Sequence, residues 1–245
     1  MVAFSGLCCY NSNIMLPAQP NESLIDGIRC LQAAATSAAP AGTREIARLL
    51  ALEPTRANRL LKTLAHMGFL RQNEAQKYEA GPGMHVLAAQ SLHASGLVRR
   101  ALPQLESLAV HGMVVALGVL WNDRVSYLYH WRPGISSAEA LGSAAVYPAL
   151  DSSIGLALLA ALPEREVRAR LRGRPLGRFA THASVIAELR RTRRRGYGRV
   201  GRAPGVVSLA LPIGAPAAAA IALAGAMPRN NVPARIDAMR TAAAL

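Results

Sequence analysis

Apolar residues recur every third or fourth position at the start of the chain, then in short alternating or unbroken runs further on. Leu24, Ile28, Leu31 and Ala35, behind the capping candidates Asn21 and Ser23, predict a first helix. Ala38-Ala39-Pro40-Ala41-Gly42 breaks it. Thr43 is placed to cap a second helix with Ile46, Ala47 and Leu50 facing inward. After a short turn at 51–53, Pro54 stands where a third helix would begin, a position that tolerates its missing N–H. In that helix Ala57, Leu60, Leu61 and Leu64 form the apolar stripe, and Gly68 ends it as a left-handed cap. Phe69-Leu70-Arg71 and Tyr78-Glu79-Ala80 then read as two strands around a polar turn. Three helices and a hairpin make a winged helix-turn-helix over residues 21–83.

Gly81-Pro82-Gly83 punctuates the boundary, and 84–108 reads as helix interrupted near Gly96 and Pro103; residues 84–100 are predicted to be a linker helix. Residues 114–121 and 125–131 are β-rich, with a plausible hairpin turn at Asn122-Asp123-Arg124. Helices follow at 152–161, 163–172 and 184–195. A pair of strands lies within 206–225, and a last helix near 233–244. The fold class is α+β, with the second domain over 101–245.

The 245 residues carry a formal net charge of +14 and are 51% hydrophobic. Disorder of the whole chain is excluded, and the surplus favours a polyanion. Compositional drift toward Arg explains much of it equally well, since Lys62 and Lys77 are the only lysines. Cys8, Cys9 and Cys30 form no metal spacing and fit a reducing cytoplasm; no cofactor, metal or catalytic site is expected. Residues 1–20 read as a loose extension, with Met15 an alternative start. The uncharged run 206–225 has the length of a membrane span, but Pro212, Gly214 and Pro216 at its middle favour two buried strands.

The third helix carries the strongest chemistry. A helix enters the major groove with one anchored face and one free, hydrogen-bonding face. Arg56 and Arg59 suit guanine edges or phosphates, and Asn58 suits adenine; Thr55 shares that side. Thr43, Arg44 and Lys62 suit phosphates, and Arg71, Gln76 and Lys77 in the hairpin would reach backbone or minor groove. The alternative is an ordinary helix with a solvated basic face. A second basic stretch, 165–202, lacks interleaved aromatics and reads as a solvated face. Asp151-Ser152-Ser153 reads as a helix cap, and such an N-terminus can also hold a small carboxylate.

These residues resemble a known family. Arg44-Glu45-Ile46-Ala47, Arg59-Leu60-Leu61-Lys62-Thr63-Leu64, Gly68-Phe69-Leu70 and Tyr78 are similar to the isocitrate-lyase-regulator (IclR) family, as are Ala101-Leu102-Pro103-Gln104-Leu105, Gly155–Ala160 and Arg195-Gly196-Tyr197. The resemblance implies a transcription regulator with a GAF-like effector domain. It would be a homodimer or dimer of dimers on a palindromic double-stranded operator, responding to a small organic acid. Carried over by motif, the effector residues are Ser153, Ile154, Gly155, Ser208, Ala222 and Ala224. Asp26 stands where an Arg is common, Leu156 where a Lys often follows, and Gly198–Arg202 replaces an acidic, longer loop. The alanines imply a less polar pocket, for an aromatic acid gripped by Arg199 or Arg202. The competing reading is a small-molecule-binding protein or enzyme whose winged helix mediates protein contacts.

Overall fold

The computed structural model describes residues 19–142 and 146–244. The extension expected over 1–20, with Cys8 and Cys9, lies almost wholly outside the described residues. The chain divides into two compact units between Ser95 and Gly96.

In the first unit, α1 spans Glu22–Ala35, and the Asn21 side chain accepts from the Leu24 amide at 3.0 Å. Its buried side is Asp26, Cys30, Ala33 and Ala34. The spacing therefore identified the helix but not its inner face, since Leu24 and Ile28 are 61% and 51% exposed. Small residues win that face because α1 lies close against α3 (Pro54–His66). A Cβ on Gly27 would already be 3.8 Å from Leu60. In α2, Thr43–Leu50, Ile46, Ala47 and Leu50 are buried as expected, but Gly42 is the cap and Thr43 the first helical residue. Pro54 opens α3, Ala57 and Leu61 are buried, and Gly68 follows with φ +77. Strands β1 (Leu70–Gln72) and β2 (Tyr78–Ala80) pair antiparallel, Leu70 opposite Ala80. Tyr78 also bridges Ala41, tying the hairpin to the segment before α2. Gly81 separates β2 from helix α4, Pro82–Ser95, which starts within the Gly81-Pro82-Gly83 sequence, and none of the helix residues is buried.

In the second unit the helix α5, Leu97–Ala109, begins after Gly96 at φ +58 and runs through Pro103 without breaking. Strands β3 (Val114–Trp121) and β4 (Arg124–Trp131) form the expected hairpin, with Asn122 left-handed at its turn. The run 206–225 resolves into β7 (Val206–Ile213) and β8 (Ala219–Ala226), an antiparallel pair. Two further strands escaped the sequence reading: β5, Val146–Pro148, and β6, Gly198–Ala203. Gly198–Arg202 is thus an edge strand paired with β7, not a loop. Rich in Gly and Arg, it carries no period-2 apolar signal. The six strands run β5-β4-β3-β8-β7-β6, every pair antiparallel.

Helices cover both faces of this sheet. Helix α5 and α9 (Val232–Ala243) pack on Val115, Leu117, Leu209, Leu211, Ile221 and Leu223. On the other side lie α6 (Ser153–Ala161), α7 (Glu164–Leu171) and α8 (His182–Arg195), over Ala116, Val125, Val200, Ala210, Ala220 and Ala222. The alternation along β7 and β8 therefore assigns odd positions to one core and even ones to the other. Among the described residues no helix is long and apolar enough to cross a membrane.

Candidate DNA-reading face and effector site

Residues 55, 58, 59 and 62 fall at the i, i+3, i+4, i+7 spacing that shares one helix face. Thr55, Arg59 and Lys62 are exposed and Asn58 is partly so, while Ala57 and Leu61 anchor the opposite side. No partner among the described residues engages these four side chains. Arg44, at the start of α2, is likewise exposed and unpaired there, and so is Arg48, which the sequence reading did not single out. Thr43 is half-buried beside Tyr78, whose phenol burial pushes above its usual range. In the hairpin, Gln76 and Lys77 are exposed, Gln76 in a left-handed turn (φ +58). Arg71 is exposed but bonded across the strands, its Nε 2.6 Å from Glu79.

Arg56 belongs to a different arrangement. It sits to the side of that face, one turn before Leu60, and its guanidinium is 2.9 Å from Asp26 of α1. Asp26 also holds Arg29 at 3.1 Å, and Arg29 reaches on to the Leu50 carbonyl at 3.2 Å. Asp26 is 6% exposed, so its charge depends on these two arginines. A single carboxylate thereby links the first helix, the end of the second and the start of the third. The neighbouring Cys30 thiol is pushed up to about 11 by burial and by Asp26, which leaves it inert.

In the second unit, Ser153, Ile154 and Gly155 form the first turn of α6, all buried. Ser152 caps the helix by accepting from the Gly155 amide at 3.4 Å. Two positions without a Cβ let α6 sit close to its neighbours, Gly155 against the short turn at Ala149–Asp151 and Gly198 of β6 against the start of the helix. A Cβ on Gly155 would lie 2.1 Å from the Ala149 carbonyl oxygen, and one on Gly198 2.1 Å from that of Ser153. Ser208 and Ala224 face each other across β7 and β8, and Ala222 lies opposite Ala210 and Ala116. Ser153 and Ser208 are joined by a buried 2.7 Å hydrogen bond between hydroxyls. The six expected effector residues therefore lie on or under one sheet face, all buried except Ala224, which is partly so. Arg199 alternates with Val200 and is exposed, so it does not reach this centre.

An aromatic group beside the same helix start was not foreseen. Tyr127 stacks on His130 (5.3 Å between ring centres, 8° between planes) and packs against Tyr147 at 5.0 Å. Its hydroxyl is 3.5 Å from that of Ser152. His130 pairs with Ala116, so it shares the face of Ala222 and Ala224. A bulge between Leu117 and Gly118 shifts the β3–β4 register and gives Tyr127 and His130 that common face; strand alternation alone would separate them. Burial, then the nearby Arg132, pushes the His130 imidazole below its usual pKa. It is therefore neutral near pH 7.

Residues 89–241 match the model of the C-terminal domain of the bacterial transcriptional regulator IclR, and residues 27–74 match the IclR helix-turn-helix domain. The chain belongs to the IclR family. Solved structures of the same fold include an IclR-family transcriptional regulator from Brucella abortus, 23% identical, with a TM-score of 0.75 and 94% of this chain and 96% of that chain covered. An ICLR regulator from Silicibacter shares 23% identity at a TM-score of 0.77, covering 90% and 93%. An IclR homolog from Microbacterium hydrocarbonoxydans, complexed with 4-hydroxybenzoate, is 26% identical at a TM-score of 0.65, covering 90% and 95%. No curated protein matches the chain by sequence. This IclR-family chain is thus a transcription regulator with a DNA-binding helix-turn-helix and a C-terminal effector domain.

Proposed function

We propose that this regulator reads a palindromic operator through Thr55, Asn58, Arg59 and Lys62, and that a small aromatic acid controls it. The observation that carries the DNA reading is the free face of α3: four hydrogen-bonding side chains, two of them cationic, with no protein partner among the described residues. Arg44, Gln76 and Lys77 add phosphate contacts on either side. Arg56 acts as a positioning residue, holding α3 to α1 through Asp26.

Residues 21–83 form the reading head, 84–100 the linker and 101–245 the sensing domain. The protein works in the cytoplasm as a homodimer or dimer of dimers. Helix α4 supports the oligomer: none of its residues is buried, and Val86, Leu87 and Leu92 are between 42% and 53% exposed, apolar surface that a second copy would cover. Two heads on one dyad would address half-sites about 34–36 Å apart.

The effector reading rests on the surface around the start of α6. The first-turn amides of a helix lack intrahelical acceptors and favour a carboxylate. Tyr127, His130 and Tyr147 offer ring faces, and Ala222 and Ala224 keep the floor apolar. The bound 4-hydroxybenzoate of the Microbacterium homolog is consistent with that chemistry. The test is operator binding by fluorescence anisotropy with benzoate-type acids and with pyruvate as contrast. A response to the aromatic acids that Ala222→Trp removes, with DNA affinity intact, is the expected result. A response to pyruvate alone sinks the aromatic assignment.

A further inference from the structure

The second basic stretch is not spread evenly over the surface. Arg178, between α7 and α8, Arg195, at the end of α8, and Arg199, on β6, line one cleft of about 380 Å³ together with Phe179, Glu188 and Gly201. None of these residues belongs to the Ser153–Ser208 centre or the aromatic group at the start of α6.

The charges in this cleft do not cancel. Glu188 supplies its carboxylate, but Oε1 lies 2.9 Å from Arg195 and Oε2 lies 3.7 Å from Arg191. Arg195 is fixed in place by further contacts: Nε donates to the Tyr197 carbonyl at 2.6 Å and a terminal nitrogen to the Thr192 hydroxyl at 3.0 Å. Arg178 and Arg199 have no carboxylate partner among the described residues. Arg178 lies 5.0 Å over the Phe179 ring, which orients its guanidinium plane. On the edge strand β6, Gly198 and Val200 are buried against α6, whereas Arg199 and Gly201 are exposed and line the cleft. Beside Arg199 the strand stays open, since nothing lies within 4 Å of where a Gly201 Cβ would stand.

We propose that this cleft binds a small dianion, a phosphate monoester or a dicarboxylate, between the guanidinium groups of Arg178 and Arg199. Planar guanidinium forks match paired oxygens, and two unpaired forks match two negative charges better than one. Arg195, paired with Glu188, gives the cleft a fixed floor, so the uncompensated charge is that of Arg178 and Arg199. Phe179 supplies an apolar wall for the carbon part of the ligand. This site is separate from the proposed aromatic-acid site, and neither reading depends on the other.

Isothermal titration calorimetry on the full-length protein tests it, with inorganic phosphate and succinate as probes and chloride at matched ionic strength as control. Saturable binding of either probe, weakened about tenfold or more by Arg178→Ala and by Arg199→Ala, is expected. Arg194→Ala, an exposed arginine outside the cleft, should change it less than about twofold. Saturation by phosphate alone assigns a phosphoryl ligand, and saturation by succinate alone a dicarboxylate. Either result supports the site. Heats that chloride reproduces, or an equal loss in Arg194→Ala, overturn it and leave a solvated basic surface. Circular dichroism of each variant shows that a loss of binding is not a loss of fold; both arginines are exposed, so folding should survive their removal.

Discussion

Helices α3 and α6 solve opposite problems with similar lengths of chain. In the thirteen residues of α3 only Ala57 and Leu61 are buried, and one whole side is left to solvent. Of the nine residues of α6, only Ala161 is not buried. On the proposed function, α3 enters a DNA groove and keeps its chemistry outside, where substitution leaves the fold alone. The proposed sensing helix α6 keeps its chemistry inside, where function and packing share the same atoms. The contrast implies that mutations will separate binding from stability in the first helix and confound them in the second.

The largest effect is expected from Gly155→Ala. Its Cβ would meet the Ala149 carbonyl oxygen at 2.1 Å and the Ala149 Cα at 2.5 Å, backbone atoms that no rotamer change can move. A loss of about 3 kcal/mol, the upper end of ordinary overpacking, should appear in urea unfolding of the second unit. A variant within 0.5 kcal/mol of wild type would show that α6 is less tightly seated than described.

Arg59→Ala should do the reverse. Its stability should stay within about 0.5 kcal/mol of wild type, because the side chain is exposed and unpaired. Operator affinity should fall. A phosphate contact would lower the salt slope by about one unit on every sequence, and a guanine contact would cost about 1–3 kcal/mol of discrimination at one position. Unchanged affinity on operator and scrambled DNA alike would break the comparison from the α3 side.

Asp26→Asn tests a case between these two. The side chain is buried in α1, yet one of its partners is at the edge of the reading face. Losing the charge weakens bonds to Arg29 and Arg56, but Arg56 is 43% exposed and its share is screened. A stability loss of about 1–2 kcal/mol is expected in denaturant unfolding, chiefly through Arg29. Operator affinity of the folded protein should fall less than for Arg59→Ala. A larger loss than for Arg59→Ala would make Arg56 a reader freed or misplaced by the change, rather than a positioning residue.

What could be read beforehand follows the same division. The free face of α3, its Pro54 start and the β3–β4 hairpin depend on local spacing, and the sequence states them directly. The pairing of Asp26 with Arg56 depends on how closely α1 approaches α3. The small residues Gly27, Ala33 and Ala34 decide that approach, and a search for large apolar residues passes over them. The aromatic group at Tyr127 and His130 depends on a one-residue bulge that no alternation pattern reveals. The family resemblance implies a loop at Gly198–Arg202, and Gly-Arg-Val-Gly-Arg has no apolar period to suggest otherwise; its place at the sheet edge comes from pairing with β7. Ser153 and Ser208 were named by family resemblance, yet their direct hydrogen bond required the register of the sheet.

The smallest expected effect concerns pH. Two histidines of the second unit, His130 and His111, are held below their usual pKa, His130 by burial and Arg132, His111 by burial and Arg235. The Arg235 guanidinium lies 2.8 Å from His111 Nδ1, so that nitrogen must be the acceptor and the ring neutral. In the unfolded chain both rings take up a proton as the pH falls through about 6.5. The folded state takes it up only at lower pH. The unfolded state therefore binds more protons in that window, and stability must decrease as the pH is lowered from 7 toward 5. Urea unfolding of wild type at pH 7.5 and pH 5.5, repeated with His130→Gln and His111→Gln, measures the difference. Each variant should flatten the pH dependence, and the two together should flatten it most. If both variants kept the full wild-type slope, the burial of these rings would not be what sets the acid sensitivity of the sensing domain.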